Sequence, residues 1–132
     1  MSDEGAEPDR GRIRIAATVG GLAVALGAFG AHGLKDHVTA ERLATWETAS
    51  RYHLIHAVVL LVLALSPRAT SPLPFRLFLA GTIVFATSLY ALVLLDQPLL
   101  GAITPIGGAL LIAGWVSLGV CRSRPPAAET RP

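Results

Sequence analysis

The charged residues of this chain are distributed so unevenly that four long stretches contain none of them. The stretches cover residues 15–34, 52–67, 77–95 and 97–121, and they consist mainly of Leu, Val, Ile, Ala and Gly. A transmembrane helix needs about 20 predominantly apolar residues, because the hydrocarbon core is about 30 Å thick and each helical residue rises about 1.5 Å. Four such stretches in 132 residues predict a small protein that crosses a membrane four times.

The composition supports the same class of protein. Hydrophobic residues make up 52% of the chain and charged residues 15%, whereas a soluble domain carries about 25% charge. The basic residues stand at the edges of the apolar stretches and not in one stripe, so no nucleic-acid partner is predicted. Cys121 is the single cysteine, which excludes an intrachain disulfide and a cysteine-based metal cluster. The expected partner is the lipid bilayer, with other membrane proteins or a homo-oligomer as further alternatives.

We therefore predict an all-α, integral membrane four-helix bundle with an extra amphipathic interfacial helix between spans one and two. The predicted spans are residues 13–31, 52–66, 75–95 and 99–121. The terminal segments 1–12 and 122–132 are polar or rich in Pro and Arg, so we expect disordered tails there. Pro105 stands inside span four, where a proline usually kinks a helix.

The predicted interfacial helix covers residues 39–52. Thr39 is a suitable N-cap, and Glu47 and Arg51 stand four residues apart in the order that favours an ion pair. Trp46 and Tyr52 are aromatic residues of the kind that lie at headgroup level. The pattern therefore predicts a helix that lies in the interface and keeps Arg51 near the membrane surface.

The basic residues also predict the orientation of the spans. With four spans, both termini share one side with the link before span three, and that side holds eight of the eleven basic residues. The other side holds Lys35, Arg42 and Arg51. Because cytoplasmic loops carry the excess of Lys and Arg, we expect an inner-membrane protein with both termini in the cytoplasm.

Small residues recur at helical spacing along spans one and four. In lipid, helices associate largely by close packing, so small residues mark the positions where backbones approach. The predicted helix-packing positions are Gly20, Gly27, Gly30, Pro105, Gly107, Gly108 and Gly114.

The uncharged polar residues of the spans gather in the outer half of the predicted bundle. Polar groups are costly in hydrocarbon unless they face the bundle interior and find partners. We therefore expect one hydrogen-bonded cluster beneath the outer loop, and this cluster is the candidate ligand site. Its predicted members are His32, Tyr52, His56, Ser88, Tyr90 and Thr104.

Several strings that contain these residues resemble a known family. The strings begin at Gly27 (GAFGAH), Tyr52 (YHLIHA), Ser88 (SLY), Thr104 (TPIGG) and Ala113 (AGW). In this order they resemble the small four-helix membrane proteins grouped as domain of unknown function 423, and they are similar to the transmembrane protein 256 family. The resemblance implies a bacterial inner-membrane protein with four spans, and it implies no reaction.

Four functional interpretations remain. His53 and His56 lie three residues apart on a predicted helix and are candidate metal ligands, although the spacing matches no known metal motif. A small transporter is a second alternative, but no charged residue lies inside a predicted span to couple transport. Ser88 and His56 lack the carboxylate of a catalytic triad, so no catalytic residue and no cofactor are predicted. The favoured interpretation is a structural or accessory membrane component.

Overall fold

The computed structural model describes residues 9–66 and 71–120, which form four long helices. The helices are α1 (Arg10–Phe29), α2 (Ala40–Leu65), α3 (Leu73–Leu95) and α4 (Thr104–Val120). A π-helical turn, Gly30–Leu34, extends α1, and a 3-10 segment, Pro98–Ala102, precedes α4. Four helical segments of this part of the chain are long and apolar enough to cross a membrane, which confirms the predicted fold class.

The helices begin where side chains can accept hydrogen bonds from free backbone N–H groups. The Asp9 carboxylate accepts from the backbone N–H of Arg12 at 3.1 Å, so α1 begins within the segment predicted as a tail. The Thr39 hydroxyl accepts from the backbone N–H of Arg42 at 3.4 Å, as an N-cap does. The rest of the predicted tails, residues 1–8 and 122–132, lies outside the described residues.

The separate interfacial helix is not confirmed, because α2 is one continuous helix of 26 residues. Its first half does not lie on the surface of the bundle: Trp46 is 1% exposed and Ala49 is fully buried. No Pro or Gly interrupts residues 40–65, so the sequence contains nothing that would turn the chain at the end of the amphipathic segment.

Small residues determine how closely α1 and α2 approach. A Cβ atom added to Gly20 would lie 3.8 Å from the Ala57 side chain, and one added to Gly27 would lie 3.7 Å from the Ser50 hydroxyl. A Cβ atom on Gly30 would overlap the Trp46 indole. The two helices are therefore antiparallel and in contact along most of their length.

The hairpin of α3 and α4 is packed even more tightly. A Cβ atom added to Gly107 would lie 2.7 Å from the Phe85 Cα atom, and one added to Gly114 would lie 2.9 Å from the Phe78 ring. Gly81, which the sequence analysis missed, fulfils the same role from α3, because a Cβ there would lie 2.9 Å from the backbone nitrogen of Leu111. Gly108 is only loosely packed, at 4.0 Å from the Phe85 ring.

Pro105 does not kink a helix. Because α4 begins at Thr104, Pro105 occupies its first turn, where the missing backbone N–H costs no hydrogen bond. The expected break in span four lies instead before α4, between the 3-10 segment and Thr104.

Close backbone packing joins only consecutive helices in the described residues, so α2 and α3 lie in the middle and α1 and α4 at the edges. We call the end with the 30–39 and 96–103 connections the turn end, and the opposite end the tail end. One buried apolar cluster fills the tail half and includes Ala16, Leu60 and Phe78. The other fills the turn half and includes Trp46, Ala86 and Tyr90.

Gly107→Ala is expected to lower the stability of the bundle, because the new methyl group would overlap the backbone of Phe85 and push α4 away from α3. Overpacking of this kind costs about 1–3 kcal/mol. Thermal unfolding in a mild detergent measures the effect. Gly21→Ala is the matched control, since a Cβ atom at Gly21 meets nothing within 4 Å. Equal unfolding temperatures for the two variants would contradict the packing described for α3 and α4.

Candidate functional site

Tyr90 is the centre of a buried polar group in the turn half of the bundle. Its hydroxyl lies 3.3 Å from the Ser50 hydroxyl and 3.3 Å from Nδ1 of His53. Tyr90 is on α3, and Ser50 and His53 are on neighbouring turns of α2. Ser50 also faces Gly27 on α1, where an added Cβ atom would lie 3.7 Å from the Ser50 hydroxyl, so the group borders three helices.

Two arrangements of protons satisfy this group, because a tyrosine hydroxyl has one proton and a neutral histidine has one ring nitrogen that accepts and one that donates. Either Ser50 donates to the Tyr90 oxygen and Tyr90 donates to Nδ1 of His53, or His53 donates from Nδ1 to the Tyr90 oxygen and Tyr90 donates to Ser50. Among the described residues, no buried side-chain nitrogen or oxygen lacks a hydrogen-bond partner.

Trp46 covers this group on the side nearest the turn end. Its ring centroid lies 4.4 Å from that of Tyr90 and 5.6 Å from that of Phe29. Its indole N–H donates to the backbone carbonyl of Leu26 on α1 at 2.8 Å. The ring can reach α1 only because Gly30 has no side chain. Trp46 therefore connects α1, α2 and α3 at the same level of the bundle.

A second polar contact joins α3 to α4. The hydroxyls of Ser88 and Thr104 lie 2.8 Å apart, and Ser88 also donates to the backbone carbonyl of Phe85 at 2.9 Å. Ser88 is buried and Thr104 is half-buried. This pair faces away from Tyr90, since α3 presents one side to α2 and another to α4.

The third set of polar atoms lies within α2. Nδ1 of His56 donates to the backbone carbonyl of Tyr52 at 2.7 Å, one helical turn earlier. The Tyr52 ring stacks on His56 with a centroid distance of 6.0 Å and packs against Phe85. His56 is buried, and its ring contacts Phe78 and Trp115.

The structure thus divides the residues that were predicted to form one cluster. Tyr90, the Ser88–Thr104 pair and the Tyr52–His56 pair have different partners, and His32 is exposed in the π-helical turn. Counting residues from the membrane surface predicts depth, but it does not predict which side of a helix a residue occupies. The sequence analysis missed Ser50 and the structural role of Trp46, and it placed His53 only among metal candidates. Trp46, Ser50 and His53 precede His56 at intervals of three or four residues, and this helical spacing was the available signal.

The two histidines that were considered as metal ligands bond to different partners. His53 contacts Tyr90, whereas His56 contacts its own helix. In the described part of the chain, no three His, Cys, Asp or Glu side chains lie close enough together to hold a metal ion.

A cavity of about 280 Å³ lies between α3 and the segment before α4. It touches the Ser88–Thr104 side of α3 and not the Tyr90 group. Its lining residues are Val84, Thr87, Ser88, Ala91, Leu100 and Ile103.

Comparisons with known proteins identify the family. Residues 26–108 match the model of a family described as a protein of unknown function, DUF423, which is more than half of the chain. The chain belongs to the DUF423 family. A UPF0382 membrane protein of Staphylococcus aureus is 44% identical over 100 residues, covering 74% of this chain and 82% of the relative. The UPF0382 membrane protein YwdK of Bacillus subtilis is 41% identical over 104 residues, covering 75% and 85%. No solved structure matches the chain.

The part of the chain that matches the DUF423 family contains every side chain of the polar groups described above, from Trp46 to Thr104. It also contains Gly30 and Gly107, the glycines on which the closest helix contacts depend. The chain is therefore a four-helix membrane protein of a family whose description and relatives' names assign no activity.

Tyr90→Phe is expected to destabilise the bundle by about 0.5–1.5 kcal/mol, because it removes the hydroxyl that connects Ser50 to His53. Thermal unfolding in detergent measures this loss. A double-mutant cycle with Ser50→Ala should give a smaller combined effect than the sum of the two single effects, since both remove the same contact. Thr87→Val is the control, because the Thr87 hydroxyl is exposed and bonds only within its own helix. Strict additivity would contradict the assignment.

Proposed function

We propose that the protein is a structural or accessory component of a bacterial cell membrane. The Ser50–Tyr90–His53 group carries this proposal, because its polar atoms form contacts between helices. A ligand site presents polar groups to a cavity, so that a small molecule can complete their hydrogen bonds. The cavity described above lies on the other side of α3, next to hydroxyls that already have partners.

Binding of a metal or small ligand by the polar residues and transport are the alternative functions. Because Nδ1 of each histidine already has a partner, a metal or ligand would bind at Nε2 of His53 or His56. Experiment separates the two kinds of function, since a structural histidine stabilises the protein without any bound group.

Metal analysis combined with His53→Ala tests the structural role. We expect the purified protein to contain no stoichiometric metal and to keep its unfolding temperature in the presence of a chelator. His53→Ala should cost about 1–3 kcal/mol, because it removes a hydrogen-bond partner of the buried Tyr90 hydroxyl. A stoichiometric metal that is lost in His53→Ala or His56→Ala would instead establish a metal site. An unchanged stability of His53→Ala would contradict the structural role.

We further propose that the tail end faces the cytoplasm and that the membrane is the inner membrane. The excess of basic residues at the tail end supports this orientation. The turn end, with the Arg42–Asp96 ion pair between α2 and the turn after α3, would then face outward.

The single native cysteine allows a direct test of orientation. In intact spheroplasts, a membrane-impermeant maleimide should leave Cys121 unlabelled, because Cys121 follows Val120 in the sequence and the proposed orientation puts the C-terminal end of α4 at the cytoplasmic side. In a Cys121→Ser background, Gln97→Cys places the thiol in the exposed turn between α3 and α4, and it should react. Permeabilised cells provide the control, because both Cys121 of the native chain and the new cysteine at position 97 should react there. The opposite labelling pattern would reverse the orientation.

A further inference from the structure

His56 has one ring nitrogen without a hydrogen-bond partner in the described part of the chain. Because Nδ1 donates to the backbone carbonyl of Tyr52, Nε2 of the neutral ring carries a lone pair and can only accept. The residue is only 4% exposed. Since every fully buried side-chain nitrogen and oxygen of the described residues has a partner, Nε2 must reach the surface of the bundle. His56 therefore presents an acceptor to whatever surrounds α2 at this point.

This acceptor lies at a depth where lipid surrounds the helices. The next residue of α2, Ala57, faces Gly20 on α1, where an added Cβ atom would lie 3.8 Å from the Ala57 side chain. Counted along α1, the level of Gly20 is about 20 Å from Leu34 at the turn end and about 15 Å from Arg10. Lipid headgroups lie at the two membrane surfaces, so a molecule that supplies a donor to His56 has to be dissolved in the hydrocarbon.

Aromatic rings surround the imidazole of His56 on three sides. The Tyr52 ring lies toward the turn end at a centroid distance of 6.0 Å, and the Phe78 ring of α3 lies behind it at 5.8 Å. The Trp115 ring of α4 is on the third side at 6.4 Å, and it also contacts Phe78. Phe78 is fully buried, whereas Tyr52 and Trp115 are 43% and 51% exposed.

These rings form a groove between α2 and α4. The backbones of these two helices do not pack closely against each other in the described residues, and α3 lies between them. The floor of the groove is formed by Phe78 and by Phe85, which contacts Tyr52 at a centroid distance of 4.8 Å. Tyr52 and Trp115 stand at its two sides, and His56 lies between them.

The atoms of this groove favour one class of ligand. A metal ion does not fit, because no three metal-binding side chains lie close together in the described part of the chain. The lone pair of His56 requires an O–H or N–H donor. Rings on three sides favour a flat aromatic group, and the surrounding hydrocarbon requires that the rest of the molecule is apolar and uncharged. A lipid-soluble phenol meets all of these conditions.

We propose that Tyr52, His56 and Trp115 form a binding site for a lipid-soluble phenol, whose hydroxyl donates to Nε2 of His56. The phenol ring lies against the rings of Tyr52 and Trp115. The bond from Nδ1 to the Tyr52 carbonyl holds the imidazole in the tautomer that accepts. The site shares no side chain with the Ser50–Tyr90–His53 group, so it is additional to the structural role proposed above and the two proposals fail separately.

Binding of 4-nonylphenol to the protein in lipid nanodiscs tests the site. The matched ligand is the methyl ether of the same phenol, which keeps the ring and the tail but has no O–H. Empty nanodiscs correct for partition of both ligands into the lipid. We expect saturable binding of the phenol, about tenfold tighter than that of the ether, because only the phenol can donate to Nε2 of His56. Equal affinities after correction, or no saturable binding of the phenol, would overturn the proposal.

Three variants locate the bound phenol. His56→Phe keeps an aromatic ring without Nε2 and should weaken phenol binding about tenfold, to the level of the ether. Trp115→Ala changes an exposed residue and removes one side of the groove, so it should weaken the binding of both ligands. His32→Ala is the matched control, since His32 is exposed in the π-helical turn and should bind the phenol like the native chain.

Thermal unfolding identifies the variants that are folded. If His56→Phe does not fold, Trp115→Ala and the comparison of phenol with ether in the native protein still decide the outcome. Phenol binding that is undiminished in folded His56→Phe or in Trp115→Ala would overturn the proposal. An equal loss of phenol binding in His32→Ala would also overturn it.

Discussion

The contact between the Trp46 indole and the backbone of α1 at Gly30 is the interaction on which the turn half of this protein depends. The ring occupies the space that a side chain at position 30 would take, and its N–H bonds to the carbonyl of Leu26. Burying an indole and satisfying its only donor holds the first half of α2 inside the bundle. Because α2 then continues without a break, its second half has to cross the membrane in the same direction.

Two consequences follow from the straight second helix. Tyr90 is enclosed between Trp46 and His53, so its hydroxyl bonds across helices. The exposed side of the same helix carries Glu47 and Arg51, at the level of the polar group around Tyr90. The buried polar side-chain atoms of the described residues are satisfied within one chain.

The number of long apolar helices could be predicted from the sequence, because the length of a charge-free stretch is set by the thickness of the hydrocarbon core. The path of residues 39–52 could not be predicted from the sequence. The same amphipathic pattern describes a helix on a membrane surface and a helix with one side in a bundle, and the decision depends on Gly30, which is distant in sequence from Trp46. For the polar residues, the sequence predicted their common depth. It could not predict their division among three sets of partners, because small differences in helix rotation decide which side of α3 faces α2.

A distance along α2 tests the central claim that this helix is continuous through the membrane. Ala44 and Val62 are both exposed and lie five helical turns apart, so nitroxide labels at Ala44→Cys and Val62→Cys would project from the same side. Pulsed electron paramagnetic resonance in nanodiscs, in a Cys121→Ser background diluted with unlabelled protein, measures their separation. A continuous helix predicts about 27 Å between the two labels, at 1.5 Å for each residue. A separate interfacial helix that turns by a right angle near residue 52 would give about 19 Å and would contradict the account.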